Sequence, residues 1–147
     1  MQLVSQSAYD TQEIARTVAE KIRSTLPGTH ATVIALRGDL GAGKTTFTQG
    51  FARALGIAQM PKSPTFLLAK QYAIPETSYS LWHLDCYRMK SHADLVTIDL
   101  HRIFDAPNNI ILVEWPENIS DGLPKHHGEI HFEHTGGDTR SITISNL

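Results

Sequence analysis

Hydrophobic positions along this chain follow two rhythms, a helical spacing and short extended runs, and their order predicts the elements. After an extended piece at Leu3-Val4, Ser7 with Asp10 three residues on offers a helix cap. Ile14, Val18 and Ile22, with Ala15 and Ala19 beside them, then form one face of a helix over about residues 10–25, which Pro27-Gly28 ends. The apolar run Val33-Ile34-Ala35-Leu36 predicts a strand at 32–37, and the four-residue spacing of Phe47, Phe51 and Leu55 predicts a helix over 44–55, closed by Gly56. Residues 57–64 read as a loop. Residues 66–74 and 79–84 are two extended runs around Pro75-Glu76-Thr77-Ser78, the pattern of an antiparallel hairpin. Ser91 and Asp94 mark another capped start, with Leu95, Ile98 and Phe104 giving a less regular helix to about 104. Residues 109–113, NIILV, form a continuous apolar strand of the kind buried on both faces, and residues 129–134 and 140–144 read as a closing hairpin around Gly136-Gly137-Asp138. The sum is an α/β fold: a central mixed parallel and antiparallel sheet flanked by helices, with antiparallel additions from the two hairpins.

Composition narrows what such a fold can do. At 147 residues the chain fits one domain, large enough for a real core but too small for a nucleotide domain plus a separate catalytic one. Thirteen basic residues against 15 acidic ones give a net charge of −2, without the electrostatic footprint of a protein that holds DNA or RNA by itself. The one cysteine, Cys86, permits no intrachain disulfide and suits a reducing compartment. No apolar run approaches membrane-spanning length and the first ten residues lack the features of a signal peptide, so a cytoplasmic protein that does not enter membranes is expected.

The candidate chemistry sits between the 32–37 strand and the 44–55 helix. There the chain reads Gly38-Asp39-Leu40-Gly41-Ala42-Gly43-Lys44-Thr45-Thr46, a phosphate-binding loop between the strand and helix that such a loop requires. Glycine is needed because successive backbone N–H groups must turn inward around a phosphate, where a Cβ blocks both the turn and the approach. The helix start adds unpaired N–H groups and its positive dipole end. Lys44 can reach the β- and γ-phosphates of ATP or the β-phosphate of ADP, the Thr45 hydroxyl can ligate Mg²⁺, and Thr46 is placed for the α-phosphate.

Three further stretches can complete a nucleotide site. In Lys62-Ser63-Pro64-Thr65-Phe66, Thr65 offers a hydroxyl for a metal or γ-phosphate, although read alone the stretch is a turn entering a strand. In residues 83–88, HLDCYR, alternation puts His83, Asp85 and Tyr87 on one polar face and Leu84 and Cys86 on the other. A carboxylate on that face can hold Mg²⁺ or orient water, or simply pair with Arg88 at a solvated strand end. In residues 110–117, four apolar residues run into Glu114, a Walker B pattern that sets a carboxylate beside the phosphate loop, with glutamate in place of the more usual aspartate. Cys86 has no basic helix end near it to make a reactive thiol. The histidines at 126, 127, 131 and 134 read as a polar strand surface and not as a zinc site. Arg140, in the last hairpin, either reaches a nucleotide or decorates an edge strand.

Taken together, GDLGAGKTT (38–46), SPTFLLAKQY (63–72), HLDCYR (83–88) and LVEWPE (112–117), in this order and in so short a chain, closely resemble the TsaE (YjeE) family of bacterial P-loop ATPases required for threonylcarbamoyladenosine formation on tRNA. The resemblance covers about residues 10–135. It implies a cytoplasmic Mg²⁺-dependent ATPase working with the partner proteins TsaB and TsaD, which modify adenosine 37 of tRNAs reading codons that begin with A. By position, residues 40–46 would bind the phosphates and Thr45 and Glu114 would hold Mg²⁺. Thr65 resembles the switch-loop threonine, Asp85 the acidic residue at metal and water, and Trp115 and Glu117 neighbours of the site. Cys86 stands where leucine is usual and Asp99 where many members have glycine. Two other readings are a small P-loop kinase, for which the arginines form no lid-like cluster, and a nucleotide-gated binding module whose hydrolysis is incidental.

Overall fold

The apolar run at 32–37 becomes the middle of a seven-stranded sheet. In the computed structural model, which describes residues 1–59, 61, 69–88 and 99–147, the elements are β1 (Gln2–Ser5), α1 (Ala8–Thr25), β2 (Thr32–Arg37), α2 (Lys44–Ala54), β3 (Ala69–Ala73), β4 (Ser80–Asp85), α3 (Leu100–Asp105), β5 (Asn109–Glu114), a 3₁₀ helix (Pro116–Gly122), β6 (Gly128–Gly136) and β7 (Thr139–Ser145). The predicted loop threonine Thr65, the first residues of the first hairpin and most of the helix expected from 91 lie outside the described residues.

Strand order is β1-β7-β6-β2-β5-β4-β3. The two hairpins form, but each adds one parallel strand as well as an antiparallel one: β4 runs parallel to β5 and β6 parallel to β2, while β3 and β7 turn back antiparallel outside them. The expected mixed sheet with two antiparallel hairpins is what forms, and the parallel docking of β4 and β6 adds to it. A hairpin fixes only how its two strands pair with each other and not which way the inner one meets the sheet. The short piece at Leu3-Val4 finds its partner at the far end of the chain, capping the edge of β7.

Alternation divides the core in two. Ile34, Leu36, Leu81, Ile110 and Leu112 face α1 and α2, where Val18, Ile22, Phe47 and Phe51 complete one cluster. Val33, Leu84, Cys86, Ile111 and Val113 face the other way, against Leu100, Phe104 and Ile119. Phe47 and Phe51 are fully buried, each contributing about 1.5–3 kcal/mol relative to an exposed ring. The two helices of the first layer pack closely at Gly50, where an added Cβ would lie 2.7 Å from the Gln12 Cα.

Helix ends follow local chemistry. Ser7 accepts a hydrogen bond from the Asp10 N–H, the expected cap, although the helix already begins at Ala8. Asp99, noted above as a departure within the family resemblance, sits before α3 with φ of 54°. That left-handed conformation suits glycine best, and aspartate is among the few L-residues that visit it routinely.

Candidate active site

The site is assembled on the α1–α2 face, at the carboxyl ends of the parallel strands β2, β4 and β5. β2 ends at Arg37, and the chain then turns through Gly38, Gly41 and Gly43 at φ of 150°, 77° and 109°. Crowding adds to this at two of them, severely at Gly38 and mildly at Gly43. A Cβ on Gly38 would meet the Phe132 carbonyl oxygen at 2.7 Å, and one on Gly43 would meet the Arg140 side chain at 3.1 Å. Gly43 caps α2 with no side-chain hydrogen bond, so the first N–H groups of the helix remain available to an anion. Asp39, Leu40 and Gly41 are exposed, with Leu40 at 74%, and Thr45 and Thr46 are half-buried in the first turn.

Lys44 is buried, and its Nζ donates to the Gly38 carbonyl and sits 3.8 Å from the centroid of the Trp115 ring. Burial lowers its pKa, opposed by the negative charges of Glu114, Glu117, Asp85 and Asp39. Trp115 has φ of 56° and ψ of 49°, a strained conformation for a bulky residue, and its ring contacts Tyr87 at 5.0 Å. Register explains the acids. Asp85 lies directly across from Glu114 on β4 and β5, and Glu114 lies across from Leu36, two residues before the loop. Both strands therefore deliver a carboxylate to the phosphate-loop end of the same face.

The face that carries Asp85 is not solvated along its length. His83 is fully buried, and its Nε2 lies 2.8 Å from Glu114 Oε2, which is also buried. Asp85 is half-buried and accepts from the Tyr87 N–H at 2.9 Å, while Tyr87 and Arg88 are exposed. Cys86 is packed in the opposite cluster, and burial, aided by Asp85, Glu117 and Glu114, pushes its thiol up to about 12. It is a protonated core thiol at neutral pH.

Glu117, on the 3₁₀ helix, approaches Arg37 at 3.5 Å, and Arg37 also pairs with Glu129 at 2.9 Å. Arg37, residues 38–42, Trp115, Glu117 and residues 131–134 line a cleft of about 970 Å³ beside the loop. Arg140 comes to the loop from β7. It donates to the Asp138 carbonyl at 2.9 Å and approaches the Gly41 carbonyl at 3.5 Å, and its buried Nε has no partner among the described residues. The structure thus brings together residues 38–46, Asp85, Glu114, Trp115, Glu117 and Arg140, with Thr65 outside the described residues.

Sequence reasoning missed the His83–Glu114 pair and the Arg37–Glu117–Glu129 network. The signal for the first was the two-residue step from His83 to Asp85 on one strand face. No group of three or more His, Cys, Asp or Glu side chains able to hold a metal occurs among the described residues. The oxygen donors Thr45, Asp85 and Glu114 suit a hard cation that takes its remaining ligands from phosphate and water, which is the habit of Mg²⁺.

Strand, glycine-rich loop and helix, with carboxylates at the ends of neighbouring parallel strands, define a P-loop-type α/β protein. Residues 5–142 match the family model "Threonylcarbamoyl adenosine biosynthesis protein TsaE". The chain is 41% identical over 113 residues to the tRNA threonylcarbamoyladenosine biosynthesis protein TsaE of Bacillus subtilis, covering 77% of this chain and 68% of that one. It is 31% identical over 145 residues to the protein of the same name from Treponema pallidum, covering 99% and 100%. The crystal structure of Bacillus subtilis YdiB superposes with a TM-score of 0.76 at 31% identity, covering 100% of this chain and 85% of that one. The chain belongs to the TsaE family of tRNA threonylcarbamoyladenosine biosynthesis proteins. No helix among the described residues is long and apolar enough to cross a membrane.

Proposed function

We propose that this chain is a Mg²⁺-dependent ATPase of the cytoplasm that supports repeated turnover of the TsaB–TsaD pair in threonylcarbamoyladenosine formation at position 37 of tRNAs reading codons that begin with A. The observation that carries this reading is the convergence, at one end of the sheet, of the glycine loop, Lys44 and the oxygen donors Thr45, Asp85 and Glu114 in a TsaE-family chain. Backbone N–H groups of residues 40–46 and the start of α2 bind the phosphates, and Lys44 moves from the Gly38 carbonyl to the β- and γ-phosphates. Thr45 and Glu114 hold the metal, which when bound neutralises charge developing on the γ-phosphate oxygens. Asp85 serves as a metal ligand or orients the attacking water, and Thr65, outside the described residues, is assigned to the γ-phosphate on the family resemblance alone. Trp115, Glu117 and Arg140 line the nucleotide.

Basal hydrolysis is slow in this reading, because an arginine at the transferring phosphate is worth about 10³–10⁵ in rate and Arg140 is engaged with backbone carbonyls of its own chain. Partners raise turnover by setting Asp85 against the phosphate. With a net charge of −2, the chain meets tRNA only through the complex. The test is single-turnover ATP hydrolysis by the protein alone, with its partner pair, and with tRNA alone. Slow turnover raised by the pair supports the proposal. Fast turnover alone, or stimulation by tRNA without partners, counts against it. Phosphate transfer to an acceptor points to a kinase, and binding without turnover under any condition to a nucleotide-gated module.

A further inference from the structure

We infer that His83 is a positioning residue for Glu114, fixing the carboxylate rotamer so that its second oxygen faces the metal position. This rests on the proposed Mg²⁺-dependent nucleotide site and deepens it. Both side chains are buried, His83 fully and Glu114 at 3% exposure, and they meet at 2.8 Å through Nε2 and Oε2. In this contact the imidazole donates when its hydrogen is on Nε2, with Oε2 accepting. His83 Nδ1 has no partner among the described residues. The tautomer with hydrogen on Nε2 alone is then the one that strands no buried N–H.

The contact spans two strands. Glu114 lies opposite Asp85, and His83 lies opposite Leu112, so the imidazole reaches Glu114 diagonally across the β4–β5 ladder. That bond takes one lone pair of Oε2 and does not engage Oε1. It also sets the direction from which Glu114 can be approached, because the side chain has little room to turn in a packed interior. A metal-ligating carboxylate held in this way needs no reorganisation when the cation arrives, and loss of such a supporting partner typically costs about 10–100-fold in metal affinity.

The experiment titrates Mg²⁺ against binding of a fluorescent ATP analogue, with a parallel measurement of analogue affinity in EDTA, for wild type and three variants with folding checked by circular dichroism. His83→Leu removes the donor, His83→Asn places it short of Glu114, and His83→Gln returns an amide N–H near the Nε2 position. The expected result is an Mg²⁺ midpoint raised about tenfold or more in the Leu and Asn variants, unchanged affinity in EDTA, and recovery of most of the midpoint in the Gln variant. An unchanged midpoint in folded His83→Leu overturns the inference. So does an equal fall with and without metal in all variants, which marks His83 as structural. If His83→Leu does not fold, the Asn–Gln comparison decides, and equal midpoints there overturn it. A wild-type protein that binds the analogue in neither condition overturns the underlying nucleotide site, a failure distinct from that of His83.

Discussion

The Lys44 ammonium lies 3.8 Å from the centroid of the Trp115 ring while donating to the Gly38 carbonyl, so the loop lysine is held between backbone and an aromatic face. A cation over an indole is worth about 0.5–2 kcal/mol, against the cost of taking an ammonium out of water. Burial dominates and lowers the Lys44 pKa from 10.5. The folded state therefore holds this proton less tightly than the unfolded one. The stability cost is present below the folded pKa and fades as pH rises through it toward 10.5. Lys44→Met should leave the melting temperature at neutral pH unchanged or raised while nucleotide binding and ATP turnover are lost. Its stability advantage should shrink in alkaline buffer. A clear drop in melting temperature at neutral pH would show that the ammonium supports the fold.

Two glycines should separate fold from site. Gly50→Ala puts a Cβ 2.7 Å from the Gln12 Cα between α1 and α2, away from the loop. The expected cost is about 1–3 kcal/mol of stability, with ATP affinity retained in the folded protein. Gly38→Ala meets the Phe132 carbonyl oxygen at 2.7 Å at the root of the loop, in a backbone conformation with φ of 150°. There the loop itself must shift, and nucleotide affinity should fall more than stability. Thermal melts paired with nucleotide titrations check both, and equal loss of affinity in the two variants would contradict this division.

The loop, the sheet centre and both carboxylate strands were legible in the sequence because each is local: a glycine spacing, a run of four apolar residues, an acid at a strand end. What was illegible depended on pairing across the chain. Nothing in Met1 to Ser5 announces β7 as its partner. In HLDCYR the two-residue step sets His83 on the face of Asp85, but it does not name Glu114, 31 residues away, as the partner of the histidine. The 3₁₀ helix Pro116–Gly122 was also missed, since its helical geometry is interrupted at Ile119 and so short a turn carries no apolar period. Arg140 read as either a nucleotide contact or edge decoration. The fold carries it to Gly41 and Gly43, which no count of its strand neighbours shows.

Arg140 gives the third prediction. Its guanidinium lies against the phosphate loop with Nε buried and without a partner among the described residues, and a charged donor beside a phosphate makes bonds roughly twice as strong as neutral ones. Arg140→Ala should weaken ATP binding about tenfold or more, and Arg140→Lys should recover only part of it because the planar fork is lost. Isothermal titration with ATP and with adenosine distinguishes the cause. An equal loss for adenosine, which has no phosphate, would assign Arg140 to packing.

The fourth prediction concerns acid stability at the root of the loop. Arg37 is the last residue of β2, immediately before Gly38, and donates to Glu129 at 2.9 Å. The Arg37 hydrogen bond holds the Glu129 carboxyl below its ordinary value of 4.5, against the opposing effect of burial and with help from His127. A depressed carboxylate contributes stability that is present above its unfolded pKa and lost as pH falls through the folded one. Glu129→Gln should therefore lower the melting temperature at neutral pH and flatten its fall below pH 4.5, so that wild type and variant converge in acid. Because Glu129 pins Arg37 from β6 while Glu117 reaches it from the 3₁₀ helix, the variant should also loosen the loop and weaken ATP binding at neutral pH. Parallel acid limbs for the two proteins would mean that Arg37 and Glu129 meet without stabilising each other.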